Sequence, residues 1–326
     1  MSVTLVLTWE QCQDRKLWAS ERLKGIGGSE ASVILGLNKW KSPWDLWLEK
    51  TGQVEIEEDD SDEKRQDRLF FGTESEEMIA KWFTQKTGKK LRRCGMIRNN
   101  ENPFMFADVD RLVVGENAIV EIKTTSMYNK AEWEDDKVPP YYLTQGLHYL
   151  GTGSFDRCYF VCLIGGQEPV IRILDRTEEV EEEIEALIEA ERYFWEHNVI
   201  AKELPDVDGS KACAQAISAH FNGDGTEAIE LESEYDLLCK DLEVLKDEKK
   251  KLELAIATKE NKLKVALGNG QFGRTAKFNV YFKTTNRTTF NANQFEKDYP
   301  ELYEKYLNNT SYRSLRIHKS KARMND

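Results

Sequence analysis

The stretch at residues 107–126, ADVDRLVVGENAIVEIKTTS, constrains the fold more than any other part of the chain. Two apolar runs flank a Gly-Glu-Asn turn, the pattern of an antiparallel hairpin, and a strand sends alternate side chains to opposite faces. Glu121 and Lys123 therefore emerge on one face while Ile122 points into the core. Asp110, at the end of the first run, can bring its carboxylate to that of Glu121 across the hairpin. Strand-like runs at 91–97, 104–109, 111–114 and 118–124 lead to a helix at 140–152 and strands at 158–164 and 169–174. That order predicts an α/β fold, a mixed sheet flanked by helices.

On either side of this core the chain changes character. A glycine-rich turn, RLKGIGGSEAS, opens a short helix at 30–35, and the acidic run at 55–68 has almost no apolar content and reads as an exposed, mobile loop. FGTESEEMIAKWFTQKTG, residues 71–88, carries Met78, Ile79, Trp82 and Phe83 at helical spacing after a Thr-initiated start. From Leu231 apolar residues recur alternately four and three apart to Ala266, with Lys249 and Lys259 in the seam, which predicts a coiled coil or helical hairpin. The expected organisation is a domain at 1–205, a linker at 206–230, a long helix at 231–267 and a small module at 268–326, with a strand at 276–284, a helix at 291–307 and a strand at 314–318. The long helix either folds back on 178–198 or joins subunits.

Composition excludes several classes. The net charge of −12 argues against a general polyanion binder, yet residues 274–326 hold eleven Lys/Arg against five acids, so the molecule is dipolar along its sequence. The six cysteines lack CxxC pairs and nearby histidines, and read as reduced packing thiols. No run approaches a membrane span and the N-terminus lacks a signal-peptide pattern, so a cytoplasmic protein is expected.

Asp110, Glu121 and the backbone carbonyl of Ile122 together form an oxygen-rich set suited to Mg²⁺ or Mn²⁺, and Lys123 stands where it can orient a water or offset charge on a phosphate. Glu-x-Lys on a strand is also a common solvated ion pair. Three further features bear on the choice. Glu74, Glu76 and Glu77 on the helix at 71–88 offer another carboxylate. Arg22 with Gly27, Gly28 and Ser29 provides a cation, free N–H groups and a hydroxyl for a terminal phosphate. Gln145 and Tyr149, four apart on one helix, place an amide near the centre.

Taken in order, RLKGIGGSE, SPWDLWLEKTG, FGTESEE, ADVDR…VEIKTTS and TQGLHYL resemble the YqaJ-type viral recombinases of the lambda-exonuclease family, in the PD-(D/E)xK nuclease superfamily. The resemblance spans roughly residues 15 to 200, and the C-terminal region is also similar to tails of that family. It implies metal ligation by Glu76, Asp110, Glu121 and the Ile122 carbonyl, catalytic roles for Asp110, Glu121, Lys123 and Gln145, and a 5′-phosphate pocket from Arg22 and Ser29. Arg111 stands where the family has glycine, which keeps Asp108 as a competing ligand, and Tyr149 is a secondary candidate. The implied activity is a 5′-to-3′ exonuclease acting on double-stranded DNA ends in a phage-type recombination system, in a bacterial host. It would leave a 3′ strand for a single-strand annealing protein, from a homo-oligomeric ring. The alternatives are a non-catalytic DNA-end or protein-binding module, and an endonuclease or single-strand nuclease of the same superfamily.

Overall fold

A computed structural model describes residues 3–54, 63–221, 223, 225, 228–308 and 314–318. The chain divides into two units, Met1–Asn222 and Gly223–Asp326. The first begins with β1 (Val3–Leu7), a 3₁₀ turn at Gln11–Gln13, α1 (Arg15–Arg22), β2 (Ile26–Gly27), α2 (Gly28–Ile34), α3 (Pro43–Lys50) and α4 (Glu63–Thr87). Strands β3 (Leu91–Arg92), β4 (Met96–Asn99), β5 (Met105–Ala107), β6 (Arg111–Val113) and β7 (Ala118–Thr125) follow. After a 3₁₀ segment at Met127–Trp133 come α5 (Pro140–Gly153), β8 (Arg157–Ile164), β9 (Glu168–Asp175), α6 (Glu178–Tyr193), a π-helical turn at Phe194–Ile200 and α7 (Lys211–His220).

Two sheets result. One is ordered β1-β4-β5-β2 and the other β3-β6-β7-β8-β9. In the second, β7 and β8 run parallel while the remaining neighbours are antiparallel, because α5 carries the chain back across the sheet between them. The mixed α/β class expected from the pattern is what the chain adopts.

Alternation along β7 decides which residues meet. Val120 and Ile122 pack with Ile79 and Phe83 of α4 on one face, while Ile119 packs with Leu150 of α5 and Ile184 of α6 on the other. Glu121 and Lys123 share the parity of Ile119 and so face α5, where Gln145 lies. A third cluster joins Trp44 and Trp47 of α3 to Phe194, Val199, Cys213 and Ala216. Its indoles donate to the carbonyls of Pro205 (3.0 Å) and Asn198 (2.9 Å).

That cluster corrects the expected boundary at 205. Residues 206–230 are not all linker, because α7 buries Cys213 and Ala216 against α3 and belongs to the first unit. The acidic segment is likewise shorter than expected: α4 starts at Glu63, not at Thr73, since a polar helix end needs no apolar face. The rest of that segment, 55–62, lies outside the described residues. The run at 91–97 is two strands in different sheets, separated at 93–95.

The second unit holds α8 (Glu234–Leu267), the hairpin of β10 (Phe272–Arg274) and β11 (Asn279–Tyr281), α9 (Ala292–Asp298) and α10 (Pro300–Lys305). The long helix is continuous, with Gly268 ending it at φ +56°. Of the strand expected at 276–284 only β11 forms, and it pairs with β10, which lies before that range. The helix expected at 291–307 is broken at Tyr299, because Pro300 opens a new helix at its first position. Residues 314–318 form no strand, and 309–313 and 319–326 lie outside the described residues.

Candidate active site

Asp110 lies immediately before β6, and the pairing of Arg111 with Val120 puts it alongside Glu121 and Ile122. Its Oδ2 accepts the N–H of Ile122 at 2.6 Å, which fixes the carboxylate against β7. Glu121, at 2% exposure, is the most deeply buried acid of the centre. Its Oε1 accepts from Lys123 Nζ at 2.5 Å and from Gln145 Nε2 at 2.7 Å, while its Oε2 is buried without a partner. A buried oxygen with no donor is costly, and a ligand of positive charge would satisfy it.

The charges bear on one another. Burial, and then the charge of Asp110, pushes the Glu121 carboxyl up to about 8. Burial also raises Asp110, against the opposing pull of Lys123. Burial works against the Lys123 ammonium, but Glu121 and Asp110 outweigh it and hold its pKa above the ordinary lysine value. The same ammonium sits 4.8 Å from the ring centre of Tyr142.

Glu76 stands at the rim of this group on α4, raised to about 7 by burial and by Asp110. Arg111 lies 3.7 Å from Glu76 and 3.3 Å from Glu77, and donates to the Asp110 carbonyl at 2.7 Å. The residue that departs from the family pattern is thus a buried cation between the helix acids and Asp110. Among the described residues no three His, Cys, Asp or Glu side chains are gathered as a ready-made metal cage. The fit to a divalent cation therefore rests on Asp110 and Glu121, with the orphaned Glu121 Oε2 as its mark. Asp108 is otherwise engaged: Trp18 Nε1 donates to its carboxylate and the Tyr149 hydroxyl donates to its carbonyl at 3.1 Å. Asp108, Asp110, Glu76, Arg111 and Trp18 line one cleft of about 490 Å³.

Gln145 also donates to the Tyr149 hydroxyl at 3.0 Å, so α5 brings both residues to the centre. Burial, and then the Glu121 charge, holds the Tyr149 phenol well above its ordinary value, so it stays protonated. The helix start of α2 reaches this point because Gly28 has no side chain: a Cβ there would come within 2.5 Å of the Tyr149 ring. Gly27 makes room for Arg22 in the same way, since a Cβ would fall 1.6 Å from Nη1. Arg22 is buried, pairs with Glu30 at 3.2 Å and leaves its Nε without a partner. Ser29 is exposed in the first turn of α2.

Sequence reasoning missed Glu30 and Lys50. Lys50, at the end of the SPWDLWLEKTG motif, is buried, pairs with Glu30 at 2.9 Å and donates to the Arg22 carbonyl at 2.6 Å. It also missed His148, wholly buried between Glu191 (2.7 Å) and the Phe106 carbonyl (2.9 Å), which ties α5 to α6 and β5. Only a motif whose charged residue follows an apolar helix face, as Lys50 follows WDLWL, hints at such a role.

Fold and site together define a mixed α/β domain with a buried acid-lysine centre, braced by a helix amide beside an open cleft. The family model described as the YqaJ-like viral recombinase domain matches residues 17–156. The uncharacterized protein YqaJ of Bacillus subtilis (strain 168) is 35% identical over 316 residues, 96% of this chain and 97% of that protein. The chain belongs to the YqaJ-like viral recombinase family. Among solved structures, an alkaline exonuclease (LHK-Exo) from Laribacter hongkongensis is 18% identical with a TM-score of 0.45, covering 57% of this chain and 95% of its own. A phage-related exonuclease from Haemophilus somnus 129PT is 13% identical with a TM-score of 0.41, covering 57% and 100%.

Proposed function

We propose that the chain is a metal-dependent nuclease that degrades double-stranded DNA from its ends in the 5′-to-3′ direction. The 3′ strand left behind would pass to a single-strand annealing protein. The observation that carries this reading is the buried junction of Glu121, Lys123 and Gln145 beside Asp110, with one oxygen of Glu121 unanswered. Membership of a viral recombinase family supports reading this centre as one that processes DNA.

Asp110, Glu121 and the Ile122 carbonyl would hold Mg²⁺ or Mn²⁺, with Glu76 as a further carboxylate. The bound cation supplies a more acidic water and a polarised phosphate. Lys123, held against Glu121, would orient the attacking water and offset developing phosphate charge. Gln145 locks the Glu121 carboxylate in place. Arg22, with a free Nε in a glycine-lined slot, would take the terminal 5′-phosphate, and Ser29 would close over it. Assembly as a ring around the duplex belongs to the same reading.

The test is digestion of end-labelled linear duplex with and without Mg²⁺. Glu121→Gln and Lys123→Ala should each lower the rate by at least ~100-fold while leaving the circular dichroism spectrum intact. Digestion near the wild-type rate in either variant refutes the assignment.

A further inference from the structure

From residue 268 to residue 294 the chain carries four Lys/Arg, five Phe/Tyr and no Asp or Glu. The chain as a whole has 58 acids among 326 residues, so a stretch of this length would ordinarily hold about five. The concentration of cations and rings falls on the hairpin of β10 and β11.

The hairpin's two faces differ. Phe272 pairs with Tyr281 directly across the ladder, and their ring centroids lie 4.9 Å apart at 35°. On the opposite face Gly273 lies against Leu267, since a Cβ there would meet Leu267 Cδ2 at 2.6 Å. One face is thus closed by the end of α8, and the other presents two rings to water, at 44% and 59% exposure. Arg274 lies over Phe272 at 5.4 Å and Lys283 over Tyr281 at 5.0 Å. Each ring is therefore paired with its own cation.

We propose that this face binds single-stranded nucleic acid, with bases stacked on Phe272 and Tyr281 and the backbone phosphates held by Arg274 and Lys283. A flat ring accepts the face of any base, and that face is free only when the base is not stacked in a duplex. A cation at the ring edge meets the phosphate that accompanies the base. An apolar protein partner would gain nothing from four cations without an acid. The inference stands on the second unit alone and does not depend on hydrolysis at Glu121.

The experiment measures binding of the full chain to labelled oligothymidylate and oligouridylate of about thirty nucleotides, in a chelator, by fluorescence anisotropy. Replacing Phe272 and Tyr281 together by Ala should weaken binding about tenfold or more, whereas replacing both by Trp should retain it. Arg274→Gln with Lys283→Gln should lower the slope of log affinity against log salt by about 1.4. Preference for one oligonucleotide would say whether DNA or RNA is the natural ligand, and equal binding would mean that the 2′-hydroxyl is not read. Failure of the wild-type chain to bind either oligonucleotide overturns the proposal. So does unchanged affinity in both paired variants, the result expected if the patch served a protein partner. An equal loss of binding to blunt duplex also overturns it, because stacking would then play no part.

Discussion

At the scale of the residue, Glu121 is the group whose surroundings say most. It keeps its proton up to about 8 because burial and then Asp110 disfavour the carboxylate. A divalent cation takes only the deprotonated form, so binding below that pH must expel a proton. The apparent affinity for Mn²⁺ should therefore rise with pH by about tenfold per unit for each proton expelled, Glu121 contributing up to about 8 and Glu76, as a further ligand, up to about 7. Calorimetric titration in buffers of different ionisation enthalpy counts the proton, and a pH-independent affinity would remove Glu121 from the ligand set. Arg22 makes a second expectation at this scale. Arg22→Ala should reduce the preference for 5′-phosphorylated over 5′-hydroxyl duplex ends by about tenfold or more, read from the ratio of kcat/KM on the two substrates. Equal losses on both would take Arg22 out of the phosphate pocket. That Glu121 and Lys123 share one strand face, and Gln145 and Tyr149 one helix face, was legible because both spacings are local geometry, whereas the meeting of Gln145 with Glu121 spans 24 residues. Arg111 was visible only as a departure, since its pairing with Glu76 and Glu77 spans more than thirty residues.

Elements meet through Glu30. Its carboxylate joins α1, α2 and α3 by pairing with Arg22 and Lys50 and accepting the N–H of Gly27 at 2.8 Å. Burial alone would raise its pKa, but Arg22 and then Lys50 outweigh burial and hold it at about 2. The folded form thus binds fewer protons than the unfolded chain between about 2 and 4.5. Its stabilising contribution is complete above 4.5 and is lost as pH falls through that window. Glu30→Gln should cost about 3–5 kcal/mol near neutral pH, because two buried cations lose their shared partner. Urea unfolding should show the gap between variant and wild type narrowing as pH drops toward about 3. A constant gap would mean that the cost is packing and not charge. At this scale the sequence told less. Helix and strand periods located α5, β7, β8 and β9, whereas α7 and the first turns of α4 were hidden. Their helical state is decided by packing on α3 in the one case and by a polar helix end in the other.

Across the whole molecule, the buried side chains among the described residues all lie between Leu7 and Ala216. A fragment comprising 1–222 should therefore fold by itself, with a thermal midpoint within a few degrees of the full chain. Residues 223–326 alone should lose helix gradually on heating, without a cooperative transition. A sharp melt of that fragment by circular dichroism would contradict this. The long helix was readable from its heptads, but its exposed seam shows why periodicity could not name what covers it. Leu238, Leu245, Leu252 and Ile256 are each at least half open to water. Within the described part of the second unit their hydrocarbon character has no cause, because exchanging any of them for a hydrophile would open no void there. Substitutions along this helix should register in association before they register in melting.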